Sequence, residues 1–338
     1  MRKFIQTIQN IWKIEDLRSR LLTTLLFVLI YRFGSFVVLP GIDPTALTAL
    51  QAQTAGGLMA LLDMFSGGAF SNASIFALGI MPYISASIVI QLLTIAVPYF
   101  QKMQKEGESG RQKMNQITRY LTVAILLFQG PSYLVNLSVQ MAQAGQAVAV
   151  GFNWFTISST ILLCAGSMFV MWLGERITDR GIGNGISFII LIGIIARFPQ
   201  AIIQEFGSRL NEGGGLMVFI LEIIFLLAVF AFAILLVQGT RRIPVQYAKR
   251  MVGNKQYGGV RQYIPLKVNA ANVMPIIFAQ AIMFIPVALA GFSSSEANAF
   301  TRAFMDNNGF WYNAVFALLI IVFTYFYTAI IINPVQMA

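Results

Sequence analysis

Long apolar runs separated by shorter polar stretches fill most of this chain. A helix rises about 1.5 Å per residue, so roughly 20 apolar residues are needed to cross about 30 Å of hydrocarbon. Eight runs meet or approach this length, and the fifth and seventh are the shortest. These predicted spans cover residues 21–39, 75–97, 117–137, 155–173, 186–198, 216–237, 273–289 and 314–332. The pattern therefore predicts an all-α polytopic membrane protein.

The composition agrees with this pattern and narrows the possible chemistry. Of the 338 residues, 57% are hydrophobic and only 11% are charged, which is too little charge for a soluble domain. The single cysteine, Cys164, cannot form an intrachain disulfide, and the chain contains no histidine. Without histidine, histidine-based acid–base catalysis and most zinc sites are excluded. We therefore predict that the chain is not an enzyme and has no catalytic residue, cofactor or metal.

The basic residues collect in alternate loops. Nineteen of the 23 lysines and arginines lie in the N-terminal segment and in the loops after the second, fourth and sixth spans. Because cytoplasmic loops of membrane proteins carry such an excess, the N-terminus is predicted to be cytoplasmic. The exceptions are Arg32, Arg197, Arg209 and Arg302. Arg32, in the first span, is expected to tie helices together rather than to extend towards the interface.

Two distant apolar stretches share the motif M-P-x-I-x-A. It occupies residues 81–86 in the second span and residues 274–279 in the seventh. A proline inside a spanning helix frees backbone groups that a cavity or a neighbouring segment must satisfy. Five spans separate the two copies, and an odd number inverts the second copy in the membrane. We therefore expect an inverted repeat of five plus five spans, divided into residues 1–198 and 199–338, with eight spans present and the last two missing.

Isoleucines of the second, fifth and seventh spans occur beside polar residues. Ile80 and Ile84 are four residues apart and share a helix face, and so do Ile186 and Ile190. Ile277 takes the place of Ile84 in the second copy of the motif. The alternative is that these side chains face lipid, as most isoleucines of spanning helices do. A cavity is favoured by the polar neighbours, which need partners or water: Ser85, Ser87, Gln91, Asn184, Ser187, Asn269, Asn272 and Gln280.

Residues 58–71, LMALLDMFSGGAFS, form an apolar segment between the first two spans. A single carboxylate, Asp63, interrupts it, and it contains the glycine pair Gly67 and Gly68. The segment is too short to cross the membrane. It is expected either to lie at the interface as an anchor or to fold back into an outer funnel as a stopper hinged at its glycines.

The loop of residues 238–269 carries seven basic residues and no acidic one. It is rich in valine, tyrosine and isoleucine and contains Gly253, Gly258 and Gly259, a pattern that predicts a β-hairpin. Its charge contributes to orientation. A cationic finger of this length also suits a polyanion such as ribosomal RNA or an acidic protein surface.

Six longer blocks of sequence are far more specific than the short motif. They are RFGSFVVLPGID (32–43), MFSGGAFSNASIFALGIMPYISASIVIQLL (64–93), KEGESGRQK (105–113), MWLGERITDRGIGNGIS (171–187), RRIPVQYAKR (241–250) and IPLKVN (264–269). With these blocks the chain resembles, over its whole length, the bacterial SecY family of protein-conducting channel subunits. The implied fold is the SecY-type inverted repeat.

The resemblance implies a role for each group of residues. A hydrophobic pore ring would contain Ile80, Ile84, Ile186, Ile190 and Ile277. A plug near residues 58–71 would contain Leu58, Leu61, Leu62, Asp63, Met64, Phe65, Ser66, Gly67, Gly68 and Phe70. A lateral gate, where spans two and three open against seven and eight, would contain Ser85, Ser87, Gln91, Asn272 and Gln280. Contacts to the ribosome or SecA would involve Arg241, Arg242, Lys249, Arg250, Lys255 and Arg261.

The same resemblance implies partners and a location. The channel would pass unfolded secretory polypeptides across the bacterial inner membrane and release transmembrane segments sideways into lipid. Its partners would be SecE, SecG, SecA, the ribosome through its RNA, signal sequences, nascent polypeptides, the bilayer and an insertase. Energy would come from a partner, because no nucleotide-binding loop is present.

A secondary transporter with inverted repeats is the alternative function. Ion-coupled transporters usually need acidic residues buried in the membrane. The predicted spans contain almost none, and Glu222 lies near the edge of its span. An intramembrane enzyme is disfavoured because no convincing pair of nucleophile and base is present. The uncharged loop of residues 140–152 is assigned no function.

Overall fold

The computed structural model describes residues 12–42, 63–64, 66–143, 154–212, 215–246, 250–252, 255–257, 261–271, 274–276, 278–279, 282–283 and 309–331. Helices dominate this part of the chain. They are α1 (Glu15–Gly34), α2 (Met81–Ala96), α3 (Pro98–Lys105), α4 (Glu108–Gln143), α5 (Trp154–Arg180), α6 (Gly185–Glu212), α7 (Gly215–Gln238) and α8 (Phe310–Ile331).

These helices coincide with most of the predicted spans. Among the described residues, α5, α6, α7 and α8 contain stretches long and apolar enough to cross a membrane, and the pair α2–α3, bent by 98°, would be a fifth. The predicted seventh span lies mostly outside the described residues, although residues 274–276 are helical. The all-α polytopic fold is confirmed, and the count of eight spans stays a prediction.

The second span differs from its prediction at its start. Residues 75–80 form turns, and α2 begins at Met81 with Pro82 in its first turn. The first four N–H groups of a helix have no acceptor within the helix, so a proline there costs no hydrogen bond. The expectation that Pro82 lies inside the spanning helix was therefore wrong, because it lies in the first turn of α2.

The fifth span is longer than its apolar pattern indicates. We expected residues 186–198, whereas α6 runs over 28 residues from Gly185 to Glu212. The helix continues through Pro199 into a more polar second half. A search for apolar runs finds only the first part of such a helix.

The chain divides into two compact units. One consists of Met1–Gln200 with Ala281–Ala314, and the other of Ala201–Gln280 with Val315–Ala338. The halves expected from the repeat, divided at residue 198, stay a prediction.

The first unit is packed around a segment that is not helical. Residues 67–80 run through successive turns, and Ala69, Ser71, Ala73 and Ser74 in it are completely buried. Side chains of α4 and α5 close over this segment in one apolar cluster that includes Leu126, Leu134 and Leu163. Small residues permit this arrangement, because they let the backbone approach the helices closely.

The second unit contains the predicted hairpin. Strand β1 (Thr240–Gln246) pairs antiparallel with β4 (Arg261–Lys267), and β2 (Arg250–Val252) pairs with β3 (Lys255–Tyr257) nearer the tip. The β-hairpin prediction is therefore confirmed. Pro244 and Pro265 lie in this ladder, where a two-stranded sheet leaves each strand an open edge that needs no donor.

Candidate functional site

Four of the five isoleucines predicted for the ring belong to one apolar cluster. Ile80 is 5% exposed, and Ile84, Ile186 and Ile190 are partly buried against the same core. The first two come from the start of α2 and the last two from the start of α6. Ile277 lies outside the described residues. The sequence pattern thus anticipated which residues of these helices share a cluster.

A tight corner between α5 and α6 places the second isoleucine pair. A side chain on Gly185 would collide with the carbonyl oxygen of Gly174, so both helices need glycine where they meet. The Asn184 side-chain oxygen accepts hydrogen bonds from the backbone N–H groups of Ile186, at 3.1 Å, and Ser187, at 3.4 Å. Asn184 is therefore the N-cap of α6, which fixes the direction in which this helix leaves the corner.

The described part of the predicted plug is largely buried, and side chains of α1, α4 and α6 hold it by hydrogen bonds. The Tyr31 hydroxyl donates to the carbonyl of Ser66 at 3.2 Å. The Tyr133 hydroxyl donates to the carbonyl of Phe70 at 2.9 Å, and the Phe70 and Tyr133 rings pack edge to face. Because non-helical backbone at membrane depth has no water to bond, such donors are what allow the segment to remain there.

Arg32, next to Tyr31 on α1, donates another hydrogen bond to this segment. Its Nη1 donates to the carbonyl of Gly67 at 2.9 Å, and its guanidinium lies 5.4 Å from the centre of the Phe36 ring. The expected tie between helices was wrong: Arg32 bonds inside the protein, but its partner is the backbone of the segment and not another helix.

Asp63 carries the one carboxylate between residues 44 and 105, and it is 1% exposed. Its Oδ2 lies 2.5 Å from Nη2 of Arg197 in α6, and its Oδ1 accepts a hydrogen bond from the backbone N–H of Ser71 at 2.8 Å. Nη2 of Arg197 also donates to the Ser71 hydroxyl at 3.0 Å. The three residues form a closed polar triangle that joins the segment to α6.

Arg197 was not among the predicted site residues, but the sequence contained a signal for it. It is one of the four basic residues that depart from the alternating loop pattern. The structure pairs three of the four: Arg32 with the Gly67 carbonyl, Arg197 with Asp63, and Arg209 with Glu222 at 2.6 Å. A basic residue outside the alternate basic loops is therefore a useful indicator of a structural partner in this chain.

Several predicted plug residues can now be placed. Asp63, Ser66, Gly67, Gly68 and Phe70 are buried, and Met64 is partly buried. Leu58, Leu61, Leu62 and Phe65 lie outside the described residues. Gly67 and Gly68 have φ values of +66° and +91°, a region that glycine occupies without strain, and this lets the chain reverse beside Arg197.

The predicted gate residues of α2 are bonded within their own helix. The Ser85 hydroxyl donates to the Met81 carbonyl at 3.2 Å, and the Gln91 amide donates to the Ser87 hydroxyl at 3.3 Å. All three side chains are partly buried. Asn272 and Gln280 lie outside the described residues, so the gate as a whole stays a prediction.

The predicted cationic contacts lie along the hairpin. Arg241 and Arg242 are exposed on β1, whereas Arg250, Lys255 and Arg261 are placed by their backbone in β2, β3 and β4. Lys249 lies outside the described residues. The register pairs Arg242 with Pro265 and Arg241 with Leu266, so neighbouring arginines fall on opposite faces of the ladder. The ladder therefore presents positive charge on both faces.

Comparison with known proteins identifies the architecture. The family model named SecY matches residues 74–338. The protein translocase subunit SecY of Streptomyces scabiei is 43% identical, over 97% of this chain and 77% of its own length. The chain belongs to the SecY family. Family members are translocation channel subunits and not known enzymes.

Solved structures agree with this fold. A SecY structure described by a plug domain that stabilises the closed state matches with a TM-score of 0.52 at 18% identity. The match covers 83% of this chain and 61% of that one. The idle yeast Ssh1 complex on the 80S ribosome matches with a TM-score of 0.57 at 14% identity, over 82% and 60% of the two chains. The present chain thus spans about 60% of these solved chains, and at such identities the likeness concerns the fold.

Proposed function

We propose that this SecY-family chain forms a protein-conducting channel of the bacterial inner membrane. An unfolded secretory polypeptide passes through a constriction formed by Ile80, Ile84, Ile186, Ile190 and Ile277. The observation that carries this proposal is the shared apolar cluster of four of these residues, contributed by two helices that begin at tight corners. Branched aliphatic side chains around a narrow pore exclude water and ions, and they yield to an extended chain.

Residues 58–71 act as the plug in this proposal. Burial of Asp63 and of residues 66–71, and the bonds of these residues to α1, α4 and α6, support a stopper in preference to an anchor at the membrane surface. A signal sequence would open the channel by binding the open state more tightly than the closed one. Spans two and three would separate from seven and eight as a lateral gate lined by Ser85, Ser87, Gln91, Asn272 and Gln280.

The hairpin is proposed as the cytoplasmic docking site. Its exposed Arg241 and Arg242, with the further basic residues of the loop, suit ribosomal RNA or an acidic surface of the motor SecA. The ribosome-bound yeast complex of the same fold supports a ribosomal partner. SecE and SecG are proposed as further subunits, and signal sequences, nascent chains and an insertase as transient partners, with the N-terminus in the cytoplasm.

Family membership disfavours the alternative of a secondary transporter. Two carboxylates of the described residues also have cationic partners: the buried Asp63 with Arg197, and the partly exposed Glu222 with Arg209. A carboxylate already neutralised by arginine is poorly suited to carry a coupling ion, because releasing the ion would require breaking a buried ion pair.

The ring is tested by replacing Ile84 and Ile277 with glycine in the intact channel complex. Ion conductance across planar bilayers should rise, because shortening these side chains widens and wets the constriction. Ile224→Gly on α7 is the matched control, since Ile224 is 61% exposed and its loss has the same helix cost. An unchanged seal in the double variant would reject the ring.

The path of the polypeptide is tested separately by cross-linking. A stalled secretory chain should react with a cysteine placed at Ile84 after Cys164 has been replaced by serine. The same cysteine at Ile224 should remain unreacted. Equal reaction at both positions would contradict a central path through the isoleucine cluster.

A further inference from the structure

We propose that Asp63, Ser71 and Arg197 form a latch that holds the plug closed, and that Arg197 is a positioning residue that sets how readily a signal sequence opens the channel. This inference rests on the proposed function, because it assigns the closing segment a specific point of attachment. The observation behind it is the closed triangle of contacts between the segment and α6.

The three residues should act as one unit, because the charges of Asp63 and Arg197 neutralise each other. Asp63 is almost fully buried, and its two carboxylate oxygens are occupied by Arg197 and by the Ser71 N–H. The side chain of Arg197 is 44% exposed. Burying a lone carboxylate is costly, whereas an exposed guanidinium can be hydrated without its partner. Losing Arg197 should therefore weaken closure more than losing the charge of Asp63.

The position of the triangle couples it to the constriction. Arg197 lies on the same helix as Ile186 and Ile190, which belong to the isoleucine cluster. Gly68, at the reversal of the segment, lies so close to Arg197 that an added side chain would be 3.4 Å from its guanidinium. A movement of α6 would therefore pull directly on the segment, so the latch links opening of the ring to release of the plug.

Arg32 is a second attachment of a different kind. It donates to the Gly67 carbonyl, and no carboxylate of the described residues forms an ion pair with it, so this bond contains only one formal charge. Rupture of the Asp63–Arg197 pair would therefore free the segment from α6 and leave it held by the single hydrogen bonds of Tyr31, Arg32 and Tyr133. The segment would then swing out about its glycines and need not unfold.

The decisive experiment compares Arg197→Gln, Asp63→Asn and the double variant in the intact translocase complex in proteoliposomes. Ion leak should rise roughly tenfold in R197Q, because a buried carboxylate is left unpaired. It should rise about threefold in D63N, where the amide still accepts the Ser71 N–H. The double variant should leak no more than D63N, because neutralising Asp63 removes the unpaired charge.

A second measurement reports on the segment itself. Ala69 is fully buried, and a cysteine there should be protected from a membrane-impermeant thiol reagent when Cys164 has been replaced. Labelling should accelerate in R197Q and return towards the D63N rate in the double variant. Translocation of a substrate with a defective signal sequence should follow the same order. Arg209→Gln is the matched control, since Arg209 lies on the same helix with Glu205 and Glu222 as its own partners.

Two outcomes would overturn the latch. One is a double variant that leaks more than R197Q, as independent contacts would predict. The other is a leak in R197Q with Ala69→Cys still protected. Neither outcome would contradict the proposed channel function, which the Ile84 and Ile277 variants test separately. A sealed channel in the isoleucine variants would reject the ring and leave the latch to its own test.

Discussion

The buried turns of residues 67–80 and the hairpin of residues 240–267 are both non-helical parts of a helical membrane protein. The segment is built from small residues, and its backbone is satisfied by turns and by the side chains of Tyr31, Arg32 and Tyr133. The exposed hairpin satisfies its backbone through its own ladder and is free to meet water. Irregular backbone therefore survives here either inside protein or outside the membrane, as the absence of water in lipid requires.

Charge follows the same division. In the segment one buried carboxylate is paired with one arginine. The hairpin loop has seven basic residues without an acidic one. Paired, buried charge depends on geometry and suits a latch. Unbalanced, exposed charge acts over a longer range and suits binding to a polyanion.

The largest effect expected from this contrast is at Gly67. Gly67→Val should destabilise the closed protein by about 3 kcal/mol, because φ is +66° and the new side chain would meet Arg32 and the backbone of Gly193. Thermal unfolding in detergent measures this change. The matched control is Gly207→Val in α6, where nothing lies within 4 Å of an added side chain. Equal melting temperatures for the two variants would contradict the assigned conformation of the segment.

A smaller effect is expected from one hydroxyl group. Tyr133→Phe leaves the Phe70 carbonyl without its donor and should destabilise the protein by roughly 1–2 kcal/mol. Tyr263→Phe on β4 should change the stability by less than about 0.5 kcal/mol, because Tyr263 is 55% exposed. Denaturation of both variants by the same method gives the comparison. If Tyr263→Phe lost more stability than Tyr133→Phe, the hydroxyl of Tyr133 would not be needed to satisfy the backbone of the buried segment.

The smallest change in folding is expected from the charges of the hairpin. Arg241→Gln and Arg242→Gln together should leave the melting temperature nearly unchanged and should weaken binding to ribosomes by about threefold per residue. The slope of log affinity against log salt concentration should fall by about one for each cation removed. Lys113→Gln, which lies in a different basic loop and is paired with Glu106, is the control. An unchanged slope would assign ribosome binding to other residues.

The sequence allowed much of the fold to be predicted, because apolar length and loop charge are local properties. The helices and the hairpin could be expected from the local pattern, and the grouping of Ile80 and Ile84 with Ile186 and Ile190 from their polar neighbours and the resemblance to the SecY family. The start of α2 could not, because residues 75–80 are as apolar as the helix that follows them. They form turns because they pack against α4 and α5, a contact that hydropathy does not contain.

The partner of Asp63 shows the same limit for the site. The sequence marks Asp63 as an isolated carboxylate and Arg197 as an arginine outside the alternate basic loops, but 133 intervening residues separate them. Nothing in the local pattern joins the two. Only the corner between α5 and α6, and the turns at Gly67 and Gly68, place the guanidinium against the carboxylate.

The amino-acid sequence by itself determined that this chain enters a membrane as helices, which segments are apolar and which loop is basic. These properties follow from the free energy of transferring each side chain from water to lipid, which depends on the residue itself and not on its place in the fold. Tertiary structure decided which apolar surfaces are buried: α5 contains ten buried residues and α7 none, although both are apolar. Lipid is as apolar as a protein core, so hydropathy cannot distinguish the two surroundings, and only the packing of one segment against another does.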